Sequence, residues 1–155
     1  MIDAMKWLWI VMLAMMPISE LRGAIPLAFK YALNPYIAIP IIILANFIPV
    51  PFILFFLKPV EKWLRKWRFW DNLLNKIFEH TRKKTKKSIE KWESLALIIF
   101  VAIPLPVTGA WTGSLAAYLF GLDFKKSLLF IFIGICMAAC IVTTATIAGI
   151  KLLGG

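Results

Sequence analysis

The sequence is poor in the side chains that soluble enzymes work with. Its 155 residues contain two cysteines, one histidine and eight acidic residues. Cys136 and Cys140 share one apolar stretch with no further ligand types nearby, so they read as small packing residues rather than a metal site. His80 stands alone beside a basic run and reads as solvated. No nucleophile–base pair, P-loop or dinucleotide fingerprint occurs. The expectation is therefore a protein that is not an enzyme and carries no cofactor or metal.

Charge is also missing from most of the chain. Residues 58–93 hold twelve of the eighteen Lys/Arg and five of the eight acids, and only six basic and three acidic side chains serve all the rest. A net charge of +10 can signal nucleic acid, but here the basic stretch lies between hydrophobic segments. Membrane lipids with anionic head groups are the expected partners, and nucleic acid is not.

What the sequence has in excess is hydrophobic surface: 61% of its residues, with a mean hydropathy of +0.83. Soluble domains average roughly 45–50% apolar residues. A chain this short leaves about 30% of its unfolded surface exposed, so a core cannot hide the surplus. The bilayer is the solvent this composition requires. One membrane domain, 1–155, is expected, with the N-terminal segment kept, because the stretch after Met16, Pro-Ile-Ser-Glu-Leu-Arg-Gly, is not a small-x-small cleavage site of the signal-peptide type.

The order of segments repeats. Met5–Met16 is apolar but short, Pro17–Gly23 interrupts it, and Ala24–Leu33 follows. Asn34-Pro35 is a turn, and Tyr36–Leu57 is a charge-free span that Pro40, Pro49 and Pro51 will kink or end early. Ser94–Ile103 is short again, Pro104–Gly113 interrupts it, and Ser114–Leu122 follows. After the polar turn Asp123–Lys126 comes a second charge-free span, Ser127–Ile150. Aligning Arg22-Gly23-Ala24 with Thr108-Gly109-Ala110 sets Pro17 near Pro104. The reading is two repeats, 1–57 and 94–155, joined by a basic linker, 58–93. Within the linker, Val60–Phe78 carries Val60, Trp63, Leu64, Trp67 and Trp70 at helical spacing opposite Lys62, Arg65, Lys66 and Arg68. That pattern is an amphipathic interfacial helix, and 82–87 is a solvated polybasic run.

A piece of about ten residues rises ~15 Å, half of the ~30 Å hydrocarbon core. Each broken segment must therefore re-enter as a hairpin or cross as one discontinuous helix. The basic linker should be cytoplasmic. Re-entry places Lys125 and Lys126 on that same side, whereas crossing places them outside. Re-entry gives an all-α fold with two inverted-topology repeats, each a re-entrant helical hairpin plus a transmembrane helix. Irregular backbone at membrane depth needs protein or water around it, so the two tips should meet near the midplane.

Only Glu20 and Arg22 are ionisable within these breaks, and such residues mark function by default. Arg22 is the expected cation of an anion site and Glu20 its tuner or a proton carrier. Gly23 and Gly109 permit close backbone approach and precede short helices whose free N–H groups favour anions. Ser19, Thr108, Thr112 and Ser114 offer hydroxyls, for which helix capping is the competing use. Trp111 is placed to cover a cavity. Pro17, Pro26, Pro104 and Pro106 shape the breaks.

The stretches Pro17-Ile-Ser-Glu-Leu-Arg-Gly-Ala-Ile-Pro26 and Ile103-Pro-Leu-Pro-Val-Thr-Gly-Ala-Trp-Thr-Gly-Ser114 resemble the signatures of the small multi-drug export protein family, within the DedA (SNARE-associated, VTT-domain) superfamily. The resemblance covers nearly the whole chain. It implies two opposed re-entrant hairpins and the flipping or scrambling of lipids, polyprenyl phosphate carriers among them. Glu20 matches the acid of the first motif. The second motif usually carries arginines flanking a proline, which are absent around Pro104, so Arg22 is the expected replacement. The function expected is a flippase or scramblase of an anionic lipid carrier in the plasma membrane. The alternative is a proton-coupled small-molecule exporter, which adds protons to the expected partners. A homo-oligomer is left open.

Overall fold

The computed structural model describes residues 2–67, 87–105 and 108–152, and among them every regular element is a helix. The helices are α1 (Ile2–Met15), α2 (Glu20–Lys30), α3 (Pro35–Phe47), α4 (Pro49–Leu64), α5 (Lys87–Ala102), α6 (Ala110–Leu119) and α7 (Phe124–Leu152). Residues 82–86 of the polybasic run, His80, Trp70, Pro106 and most of the expected interfacial helix lie outside the described residues.

Among the described residues two stretches are long and apolar enough to cross a membrane: Pro35–Trp63, made of α3 and α4, and Phe124–Leu152, each 29 residues with mean hydropathy 2.5. Each would extend about 44 Å, more than a ~30 Å hydrocarbon core requires. Large apolar side chains point outward all along these helices, Phe55 at 69% exposure among them, as a bilayer solvent allows. The chain is a membrane protein with transmembrane helices.

The first span differs from its expected bounds. Pro49 removes one backbone donor and ends α3 at Phe47, but Ile48 keeps helical dihedrals (φ −51°, ψ −46°), so α4 continues the path. Val60 and Trp63 belong to the end of α4 rather than to a separate interfacial helix.

The two short helices end in turns built alike. After α2, Leu33 N–H bonds Ala28 C=O (3.1 Å) with Ala32 at φ +52°. After α6, Leu122 N–H bonds Ala117 C=O (3.1 Å) with Gly121 at φ +72°. This is the Schellman pattern, which favours glycine at the left-handed position. The turns match at a spacing of 89 residues (Ala28 to Ala117), whereas the motif alignment of Gly23 with Gly109 uses 86. Ala32→Gly is expected to raise the unfolding midpoint in detergent, gaining about 1 kcal/mol by removing the left-handed strain of a residue with a Cβ. A fall in that midpoint would count against the turn.

Packing is reciprocal. α2 packs on α7, and α6 packs on α4, so each short helix lies against the other half's long path. α5 lies closely against α7, where a Cβ added at Gly134 would approach Val101 Cβ to 2.7 Å and Ile98 O to 3.1 Å. Gly134 and Ala138 are buried in this contact. The similarly spaced Ala145 and Gly149 are not, and nothing lies within 4 Å of a Cβ built at Gly149.

Candidate functional site

The chain between α1 and α2 and the chain between α5 and α6 meet. Glu20 opens α2 with a left-handed backbone (φ +48°), a strained conformation for a residue with a side chain. Its side chain, 4% exposed, projects to the start of α6. There Trp111 N–H donates to Glu20 Oε1 at 3.3 Å, and Ala110 N–H lies beside the same carboxylate. An acid at a helix N-terminus satisfies orphan donors and the positive end of the helix dipole together. Gly109, at φ +151°, leaves the space: a Cβ there would fall on the Glu20 carboxylate.

Arg22 crosses the same joint. Its Nη2 donates to the Thr108 carbonyl oxygen and, at 3.2 Å, to Thr108 Oγ1. Thr108 Oγ1 donates in turn to Ile103 O at 2.6 Å, folding the second break back on itself. Trp111 Nε1 donates to Met15 O at 3.1 Å, tying the second break to the end of α1. Acid, cation and indole therefore each bond from one break to the other.

Several residues lie elsewhere than their sequence pattern predicts. Gly23 does not precede a helix: it lies inside α2, its N–H bonded to Ser19 O (3.1 Å), and a Cβ there would collide with Ser19 Oγ. Pro26 is also inside α2, so the first break is only 16–19, with Pro17 exposed. Lacking an N–H, Pro26 leaves the Arg22 carbonyl without its usual helical donor. Ser114 is fully buried and donates to Ala110 O (2.7 Å), and Thr112 turns to Gly109 O (3.5 Å), so both hydroxyls are used within their own helix. Ser19 makes no capping bond. Most of all, the N-terminus of α6 is not free for a ligand, because Glu20 occupies it.

A groove of about 490 Å³ lies beside the joint, lined by Arg22, Pro26, Pro104, Val142, Ala145 and Ile150 among others. Arg22 Nε is buried there without a hydrogen-bond partner. Its wall is otherwise almost wholly apolar.

Asn46 was hidden inside a span read only as charge-free. It is fully buried, and neither amide atom has a partner. The tight turn folds α3 back along α2. Glu20 is ten residues before the turn and Asn46 eleven after its start at Pro35. Each is thus ~15 Å from the turn, at one depth. Its sequence signal is an amide in an otherwise apolar run just before Pro49. Asn46→Leu is expected to raise the unfolding midpoint, because an unpaired buried amide costs about 1–3 kcal/mol. A lowered midpoint would mean that the amide is satisfied in the membrane.

Among the described residues no cluster of His, Cys, Asp and Glu could hold a metal. Neither a curated protein nor a solved structure matches the chain. A family model described as "Putative small multi-drug export protein" matches residues 20–141, from the acid of the joint to the second long helix, and the chain belongs to that family.

Proposed function

We propose that the chain is a transporter whose gate is the Glu20–Arg22 joint, and that it exports small molecules in exchange for protons. The observation carrying this reading is the Glu20 carboxylate seated on the N-terminus of α6. A proton reaching that carboxylate removes its charge and weakens the bond between the two halves. The joint is then a latch that protonation opens, which is what proton-coupled alternating access requires. The strained backbone of Glu20 fits a part that is held rather than relaxed.

The supporting architecture is two re-entrant hairpins, α1–α2 and α5–α6, entering from opposite faces, with the linker 58–93 cytoplasmic. Helices of 10 to 16 residues span at most about 24 Å, too short to cross alone. The reciprocal packing and the matching turns favour an inverted repeat. Cysteine placed at Lys125 should resist a membrane-impermeant thiol reagent added outside intact cells, and labelling from outside would overturn the arrangement.

The test of the latch is antiport in liposomes. A cationic dye substrate should drive proton flux through the wild type and, with a loosened gate and so at a changed rate, through Arg22→Ala, but not through Glu20→Gln. Flux retained by Glu20→Gln defeats the reading.

One observation favours a second reading, translocation of an anionic lipid carrier such as a polyprenyl phosphate. The groove beside Arg22 pairs one unsatisfied guanidinium nitrogen with a long apolar wall. A phosphate there would replace the Thr108 carbonyl as the partner of Arg22. This reading inverts the variant pattern: Arg22→Ala stops flipping of a labelled polyprenyl phosphate.

A further inference from the structure

A second cavity, of about 900 Å³, lies away from the joint, between the end of α4 and the turn from α6 to α7. Its lining divides by character. Leu54, Phe55 and Leu122 form an apolar part, and Lys58 and Lys62, one helical turn apart on α4, form a cationic part.

The acids of this cleft are already engaged. Glu61 Oε1 accepts from Arg65 Nε at 2.7 Å, and Glu61 Oε2 accepts from the Tyr118 hydroxyl. Asp123 pairs with Lys126 at 3.5 Å. Lys58 and Lys62 have no acidic partner among the described residues. The Arg65–Glu61–Tyr118 chain also ties α4 to α6, so the floor of the cleft is fixed before any ligand arrives.

The position matters as much as the charge. α4 changes from Phe55-Phe56-Leu57 to Lys58 beside the cleft, and Trp63 and Trp67 stand exposed just beyond. Exposed tryptophans after an apolar span mark head-group level. Two ammonium groups without an acidic partner among the described residues therefore sit where lipid phosphates lie, with an apolar wall running toward the bilayer interior.

We infer that this cleft binds one anionic phospholipid, its phosphate between Lys58 and Lys62 and an acyl chain along Leu54 and Phe55. Lysine binds phosphate as a point charge. The anionic cytoplasmic leaflet supplies the ligand. The site is independent of the Glu20–Arg22 latch.

The full chain is reconstituted in nanodiscs of equal parts phosphatidylglycerol and phosphatidylcholine, and the lipid retained after gentle release is counted by native mass spectrometry. The wild type should retain phosphatidylglycerol preferentially. Lys58→Ala with Lys62→Ala should cut that preference roughly tenfold, and arginine at both positions should restore it. A photoactivatable phosphatidylglycerol should label residues 54–62 and 118–127 of the wild type, a readout that does not depend on the variants folding. Unchanged preference in the alanine pair, or label confined to other segments, overturns the site. Displacement of the lipid by millimolar inorganic phosphate in the same discs would make this a soluble-phosphate site and would also overturn it. Loss of the preference on neutralising 82–87 alone, with Lys58 and Lys62 intact, would assign it to the polybasic run instead. Proton flux through the latch should be the same in the alanine pair as in the wild type, so failure here and failure of the export reading are separable.

Discussion

Replacing Gly109 with alanine is expected to separate the two breaks and to lower the unfolding midpoint in detergent by several degrees. Two costs combine. At φ +151° and ψ −162° the backbone is in a region essentially reserved for glycine, costing about 1–3 kcal/mol for a residue with a Cβ. The added methyl would also fall on the Glu20 carboxylate, where neither partner can yield freely: Gly109 is fixed by the start of α6, and Glu20 by its bond from Trp111 N–H. If Glu20 moves away, its charge loses the donors that make burial tolerable. Gly121→Ala separates the two costs. Gly121 also has positive φ (+72°), but nothing lies within 4 Å of a Cβ built there. Its variant carries the backbone cost alone, about 1 kcal/mol. Gly109→Ala should therefore be clearly the worse of the two, and equal damage would show that the carboxylate does not sit against Gly109.

The sequence made the outline of this fold readable because its strongest signals are absences. Charge-free runs with polar ends located both long helices to within three residues at most boundaries, and Pro/Gly clusters located both breaks. Finer geometry was lost where two rules competed. Pro26 reads as a breaker, yet α2 runs through it, since a proline costs a helix one bond and its neighbours supply the rest. Matching Gly23 to Gly109 rests on residue identity, whereas the geometry that matches lies in the turns, where Ala32 stands as Gly121 does. The sequence assigns Glu20 and Arg22 to an anion site, and their bonds to the other half are a separate finding: each reaches across to the opposite segment. A carboxylate of one segment filling the helix terminus of another is a tertiary event with no local trace. The same holds for Asn46, whose significance rests on having no partner.

A graded series at Glu20 should separate the latch from a mere fastening. Glu20→Gln mimics the protonated acid: it keeps an oxygen that can accept from Trp111 N–H but carries no charge, so the joint should be weakened and the unfolding midpoint lowered, less than in Glu20→Ala. It removes the charge and the exchangeable proton, and coupled flux should fall to background. Glu20→Ala loses the cap as well. Leaving the N-terminus of α6 uncapped costs about 1–2 kcal/mol, and Arg22 loses its nearest countercharge, so this variant should be both inactive and less stable. Glu20→Asp keeps the proton but shortens the reach by one methylene, and should retain some flux with a weakened joint. The order expected for stability is therefore wild type, then Gln and Asp, then Ala, and the order for flux is wild type, Asp, and then Gln and Ala together at zero. A fastening would make flux follow stability, with Gln about as active as Asp. Measuring both quantities on the same four proteins decides between them, because only the glutamine variant is placed oppositely by the two accounts.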